Sequence, residues 1–343
     1  MRKLLNTLYV TTPESYLTKD GENVVVKVKD VETFRIPVHN IEGIVCFGYM
    51  GASPGLMGMC AERNVGLSFV SPTGRFIGRF QGKVSGNVLL RRKQYRLADA
   101  EDNSVSIARV FIIGKVSNCR SILQRMIRDH CSIINVAIVE ESSKILQNIL
   151  KRILNVSSLD EIRGYEGEAA LAYFSAFDQL ILCQKEEFFF HGRNRRPPRD
   201  NVNAMLSFVY TILMHDVQSA IETVGLDPFV GFLHRDRPGR PSLALDMMEE
   251  FRPYLADRLV LSLINRKQVN SGGFIHTDAG DVIMKENTRK ELITAWQKRK
   301  QEKIMHPWLQ EEIQIGLLPY AQALLFARYL RGDLDNYPVF IMK

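Results

Sequence analysis

Partway along the chain the hydrophobic period changes, and this limits the fold more than any single motif does. Up to about residue 90 the apolar residues come in short period-two or fully apolar runs broken by turn residues: LLNTLYV, YLTKDGENVVVKVKD, TFRIPV and IEGIVCFG. From about residue 104 the runs lengthen and take helical spacing, as in SIARVFIIGKVSNCRSILQRMI and NVNAMLSFVYTILMHDVQSAIETV. A pleated strand alternates faces at every residue, whereas a helix returns to the same face after three or four, so the two regions call for different structure. The expectation is an α+β chain: a β-rich domain with one short helix over 1–92, a hinge over 93–103, and a larger, all-helical domain over 104–343. At 343 residues the chain is long enough for two cores.

Local signals support the β region. Lys19-Asp20-Gly21-Glu22 supplies a tight turn, and Val24, Val26 and Val28 alternate with Val25, Lys27 and Lys29 as in a half-solvated hairpin strand. Pro37, which has no N–H to donate, belongs at a sheet edge or a strand start. Ser53 and Pro54 open the short helix, and Pro72-Thr73-Gly74 predicts a turn.

Charge and cysteine content exclude several classes. Lys and Arg total 45 against 38 Asp and Glu, so the net charge of +7 favours anionic partners and permits DNA without establishing it. No stretch approaches the apolar length of a membrane span, and the start turns polar too soon for a signal peptide; a cytoplasmic enzyme is expected, with no membrane contact. The five cysteines are odd in number and lack a C-x-x-C pair, which fits free thiols filling space in a reducing compartment and not zinc ligands.

Basic residues gather in three places. Lys83, Arg91, Arg92, Lys93 and Arg96 lie across the expected hinge; Arg193, Arg195, Arg196 and Arg199 lie in the loop FHGRNRRPPRDNVNA; and Arg235, Arg237 and Arg240 lie in HRDRPGRP. Each is either a phosphate contact or an ordinary solvated side chain.

The chemistry-bearing residues are acidic and imidazole groups on apolar elements. In RGYEGEAALAYF, Glu166 lies three before Ala169 and seven before Tyr173, on the face that packs inward, while Glu168 points to solvent. A carboxylate facing a core needs a cation or hydrogen bonds: Arg163, three residues back, is one candidate and a metal ion another. His234 ends the apolar run GFL ahead of a basic loop, and Asp246 and Glu249 project from one face of the helix that follows. Imidazole with carboxylate oxygens suits Mg²⁺ or Mn²⁺; the same residues also suit solvent-facing acids on an ordinary helix.

Taken together, RGYEGEAALAYF, RNRRPPRDNVNAMLSFVYTIL, GLDPFVGFLH and PSLALDMMEEFRPYLADRLV resemble, in order and spacing, the CRISPR-associated endonuclease and integrase family of spacer acquisition, in its type I-C variant. The resemblance implies an N-terminal β-sandwich-like dimerisation domain and a helical catalytic domain. It implies Glu166, His234 and Glu249 as ligands of Mg²⁺ or Mn²⁺, with Asp246 as a supporting catalytic residue and Asn203 and Tyr173 near the site. The implied partners are double-stranded DNA with 3′-hydroxyl ends, CRISPR repeat DNA, a second copy of the chain, and a small companion protein completing a heterohexamer. Two other functions fit the same residues: a DNA-binding scaffold of the acquisition complex, and a metal-dependent repair nuclease without integration.

Overall fold

The computed structural model describes residues 7–41, 43–48, 50–71, 76–80, 82 and 88–342. The turn expected at 72–74 and the basic Lys83 lie outside them. The chain divides into two compact units, one running to Gly86 with Leu292–Lys303 and Gln314–Leu317, the other comprising Asn87–Glu291, Ile304–Ile313 and Leu318–Lys343.

The first unit carries β1 (Thr7–Val10), β2 (Ser15–Asp20), β3 (Asn23–Val28), β4 (Val31–Pro37), β5 (Gly43–Phe47), β6 (Gly51–Ala52), α1 (Pro54–Arg63), β7 (Gly66–Val70) and β8 (Phe76–Phe80). They form two four-stranded sheets, ordered β1-β5-β7-β8 and β4-β3-β2-β6. The β2–β3 hairpin closes as its turn sequence predicts: Asp20 faces Asn23, and Gly21 takes φ +56°, a conformation that costs other residues more. Pro37 ends the edge strand β4, where its missing N–H costs least. Ser53 caps α1 by accepting the Leu56 N–H at 3.3 Å, with Pro54 at the first helical position. Leu17, Val24 and Val26 from one sheet, Val10, Ile44, Cys46 and Leu67 from the other, and Leu56, Met59 and Cys60 from α1 share one core.

The second unit contains α2 (Val88–Asp99), α3 (Glu101–His130), α4 (Val136–Arg152), α5 (Leu159–Ser175), α6 (Asn201–Thr223), α7 (Ser242–Met248), a π-helical turn at Arg252–Asp257, and α8 (Arg258–Asn265). Along the chain a hairpin of β9 (Phe274–His276) and β10 (Val282–Met284) follows, then α9 (Glu286–Gln301), most of which belongs to the first unit, β11 (Lys303–Met305), β12 (Glu312–Gln314) and α10 (Leu318–Arg331). α3 is the spine: it packs against α4 and α5, and Ala108, Phe111, Ile112, Lys115, Val116 and Cys119 are buried along it.

Three details of the expected organisation change. The division falls after Gly86, not residue 92. Residues 93–99 are not a hinge but the body of α2, anchored by buried Leu90 and Gln94, and only Ala100, in extended conformation, separates it from α3. The region after 104 is not purely helical, since it holds the β9–β10 hairpin and gives Leu292–Lys303 to the first unit. The hairpin follows from the Gly-rich turn signal in NSGGFIHTDAGDVIM, and the helix of α2 from the change of character at the basic segment, although it begins earlier than expected.

The apolar segment at the end of the chain docks. Tyr337, Phe340 and Met342 are buried, and Asn118 of α3 clamps the segment by donating to Phe340 O at 2.9 Å and accepting from Met342 N at 2.8 Å. All five cysteines are free thiols, with Cys46, Cys60 and Cys119 buried. Among the described residues no helix is long and apolar enough to cross a membrane.

Candidate metal centre

Glu166 lies in the middle of α5, which Ser158 caps by accepting the Glu161 N–H at 3.2 Å. Ala169 and Tyr173 are buried, so the face assigned to Glu166 is the inward one, while Glu168 is exposed beside Arg152. Arg163 does not pair with Glu166. It bonds Asp160 at 2.6 Å and donates twice to the carbonyl of Leu233, which ties α5 to the segment carrying His234. The partner of Glu166 is Lys115 of α3.

Glu249 caps α7 and is buried. Its Oε1 lies 2.9 Å from the Arg252 guanidinium and its Oε2 2.8 Å from Lys115 Nζ. One ammonium thus bridges two carboxylates that are distant in sequence. Burial alone would push Glu249 upward, but Arg252 and Lys115, with His234 nearby, hold its carboxyl down at about 2. Burial likewise works against charge on Lys115, and the two glutamates overcome it and raise its pKa.

Asp246 sits one turn earlier on α7 and faces elsewhere. Its Oδ2 accepts the backbone N–H groups of Phe232 and Leu233 at 2.6 and 2.9 Å, and its Oδ1 accepts that of His234 at 3.0 Å. The same Oδ1 lies 2.6 Å from His234 Nδ1. Every oxygen is used, so Asp246 is a positioning residue: it fixes both the loop and the imidazole and leaves His234 Nε2 as the available nitrogen. Gly231 permits this, because a Cβ there would come within 2.8 Å of Asp246 Oδ2 and of Ser242.

Among the described residues no group of three or more His, Cys, Asp or Glu side chains is already drawn together around a common point; Lys115 lies between two of the expected ligands. The donor set nonetheless fits a hard divalent cation. Two carboxylates converge, an imidazole has its second nitrogen held by a carboxylate, and the buried Glu249 Oε2 makes no hydrogen bond of good geometry despite its nearby ammonium.

Behind the carboxylates lies a layer the sequence patterns did not single out. The π-helical turn carries Arg252 and Asp257, and Arg252 stacks 4.8 Å from the centre of the Tyr210 ring. Tyr210 donates to Asp257 at 2.6 Å. Burial pushes Asp257 up to about 6, against the pull of Tyr210, Tyr173, Arg252 and Arg193. Lys115 was the findable omission: a lone charge on the buried face of a long apolar helix needs a counter-charge.

The seven arginines separate into two kinds. Arg193 is half-buried and turns inward, donating to Asn203 Oδ1 at 2.6 Å and Ser207 Oγ at 3.0 Å over the Tyr210 ring. Asn203 is fully buried and braces that loop by donating to the Gly192 carbonyl at 2.9 Å and to Asp200. Arg195, Arg196, Arg199, Arg235 and Arg237 are exposed, Arg235 beside Asp160, and Arg240 is half-buried.

Comparison with known proteins gives a consistent result. The profile for CRISPR associated protein Cas1 matches residues 8–298. The chain is 52% identical over 343 residues, the full length of both, to the CRISPR-associated endonuclease Cas1 1 of Chlorobaculum tepidum. Its fold resembles that of a casposase bound to integration product, with a TM-score of 0.84 at 23% identity over 98% of this chain and 94% of the other. It also resembles the Cas6-RT-Cas1–Cas2 complex, with a TM-score of 0.83 at 20% identity over 98% of this chain and 36% of the other.

Proposed function

Because the chain belongs to the CRISPR-associated Cas1 family, we propose that it is a divalent-metal-dependent endonuclease and integrase that joins captured DNA to a CRISPR repeat. In integration, the 3′-oxygen of the incoming strand forms a bond to the target phosphorus, the bond from that phosphorus to the target strand's 3′-oxygen breaks, and the proton of the attacking hydroxyl ends on the departing oxygen. In cleavage, water takes the attacking place.

Glu166, His234 and Glu249 would hold Mg²⁺ or Mn²⁺. When bound, such an ion supplies charge neutralisation at a phosphate oxygen and activation of the attacking oxygen. The chain's own residues prepare that site. Asp246 holds the His234 ring by Nδ1 and fixes its backbone, so the ring does not reorganise when it is needed. Arg252 secures one oxygen of Glu249, and the other lies beside the Lys115 ammonium. The exposed Arg195, Arg196, Arg199, Arg235 and Arg237, with Arg240, supply charge for backbone contacts along the DNA.

The observation that carries this reading is the convergence of Glu166 and Glu249 on a single cation, with His234 held by Asp246. A homodimer of the chain, joined in the cytoplasm by a small companion of the Cas2 kind into a heterohexamer, is the assembly proposed; the similar Cas6-RT-Cas1–Cas2 complex supports the choice of companion. The type I-C assignment rests on the sequence resemblance.

The test is strand transfer into repeat-containing supercoiled DNA by the chain with its companion, in Mg²⁺, Mn²⁺ or chelator, comparing the parent with His234→Ala. Insertion that needs metal and disappears in the folded variant supports the integrase. Insertion that persists in the variant rejects this site, and cleavage without insertion by the parent favours a nuclease.

A further inference from the structure

The two glutamates proposed as metal ligands are already neutralised. Glu166 and Glu249 contribute two negative charges, and Lys115 and Arg252 two positive ones, in a cluster where Lys115, Glu249 and Arg252 are largely withdrawn from water. Lys115 Nζ contacts Glu166 Oε1 and Glu249 Oε2 together, and a cation bridging the two carboxylates needs those same oxygens. A divalent ion added beside Lys115 would leave an excess of positive charge in a poorly solvated site, which is strongly unfavourable.

Two changes remove the excess: the ammonium leaves the carboxylates, and an anion arrives. Lysine suits the first, since its charge sits on a flexible four-carbon stem that swings more easily than a planar guanidinium held by several bonds. A DNA phosphate suits the second, and it gives the displaced ammonium a new partner. We propose that Lys115 stands in for the metal when DNA is absent and moves from the carboxylates to a DNA phosphate as the metal enters, so that tight metal binding requires DNA. This inference rests on the proposed metal site. It makes Lys115 a coupling residue, and by linkage metal and DNA strengthen each other's binding by the same factor.

The experiment measures Mn²⁺ binding to the purified full chain by electron paramagnetic resonance, with and without a short DNA duplex, correcting for Mn²⁺ taken up by the duplex alone. Parent, Lys115→Met and Lys115→Arg are compared, with melting temperature recorded in chelator. For the parent, DNA should tighten Mn²⁺ binding about tenfold or more. Lys115→Met should bind Mn²⁺ without DNA about tenfold more tightly than the parent, lose most of the DNA effect, and melt lower in chelator. Lys115→Arg keeps the charge, so it should fold and bind Mn²⁺ more weakly than the parent even with DNA. Lys115→Met binding no tighter than a parent that does bind, or Lys115→Arg matching the parent in DNA, overturns the inference and leaves the metal site standing. A parent that binds no Mn²⁺ even with DNA overturns both.

Discussion

His234 and Asp246 are joined twice, once through the ring nitrogen at 2.6 Å and once through the histidine's own backbone N–H at 3.0 Å. A carboxylate that grips both the side chain and the main chain of one residue determines where that side chain points. Asp246→Asn keeps the size but replaces one accepting oxygen with a donor. The expected outcome is a loss of roughly 10–100-fold in metal affinity and strand transfer. Titration with Mn²⁺ and transfer rates check it, and values within twofold of the parent would reject the positioning role.

Arg252 and Lys115 share the charge of Glu249, so removing either leaves a buried carboxylate under-compensated. Arg252→Met should cost about 3–5 kcal/mol of stability in chelator, as breaking a buried pair does. Urea unfolding measures it. A loss below about 1 kcal/mol, the scale of a surface pair, would mean that the site is wetter than its burial indicates.

Among the arginines, position separates two phenotypes. Replacing Arg195, Arg196 and Arg199 together by Gln should weaken DNA binding evenly across sequences and leave stability unchanged. It should also flatten the salt dependence of binding by about 0.9 in log-log slope for each phosphate these side chains neutralise. Arg193→Ala should instead lower the melting temperature, because its guanidinium holds Asn203 and Ser207 together. Equal effects of the two variants on DNA binding, with no change in melting, would count against the division.

Asp257 gives a pH signature. Burial raises its folded pKa from the ordinary 3.8 to about 6, so its neutral form is the one the fold favours. That contribution to stability is complete below pH 3.8 and disappears as pH rises through about 6, a change on the order of 3 kcal/mol. Asp257→Asn should flatten that part of the stability profile in urea unfolding between about pH 4 and 7. A parent and variant with parallel profiles would place the titration elsewhere.

The sequence was most legible where one residue type forces one geometry. Gly21 in its turn, Ser53 with Pro54 at the start of α1, and the inward face of Glu166 follow from local rules that tertiary packing did not override. The spacing of Asp246 and Glu249 implied one shared face, but the two acids meet different groups, one on the 232–234 loop and one on α3, because Glu249 stands at the end of α7. Partners fixed by the meeting of α3, α5 and α7 are set by long-range packing, and no window of sequence contains them. The inward turn of Arg193 was hidden for a related reason: in a run of arginines, composition cannot tell which one bonds Asn203 and Ser207.

The π-helical turn at Arg252–Asp257 has an evolutionary consequence. A π turn accommodates one more residue than the α-helical turn it replaces, and each residue in an α-helix advances the direction of side chains by about 100°. Deleting one residue here would let the segment relax into ordinary helix and swing Arg252 away from Asp257 and Tyr210 by that angle, even though every residue type was preserved. A point change at one of the residues between Arg252 and Asp257 leaves those two side chains in place, whereas a change of length does not. The spacing from Glu249 to Asp257 should therefore stay fixed across the lineage, together with Arg252 between them.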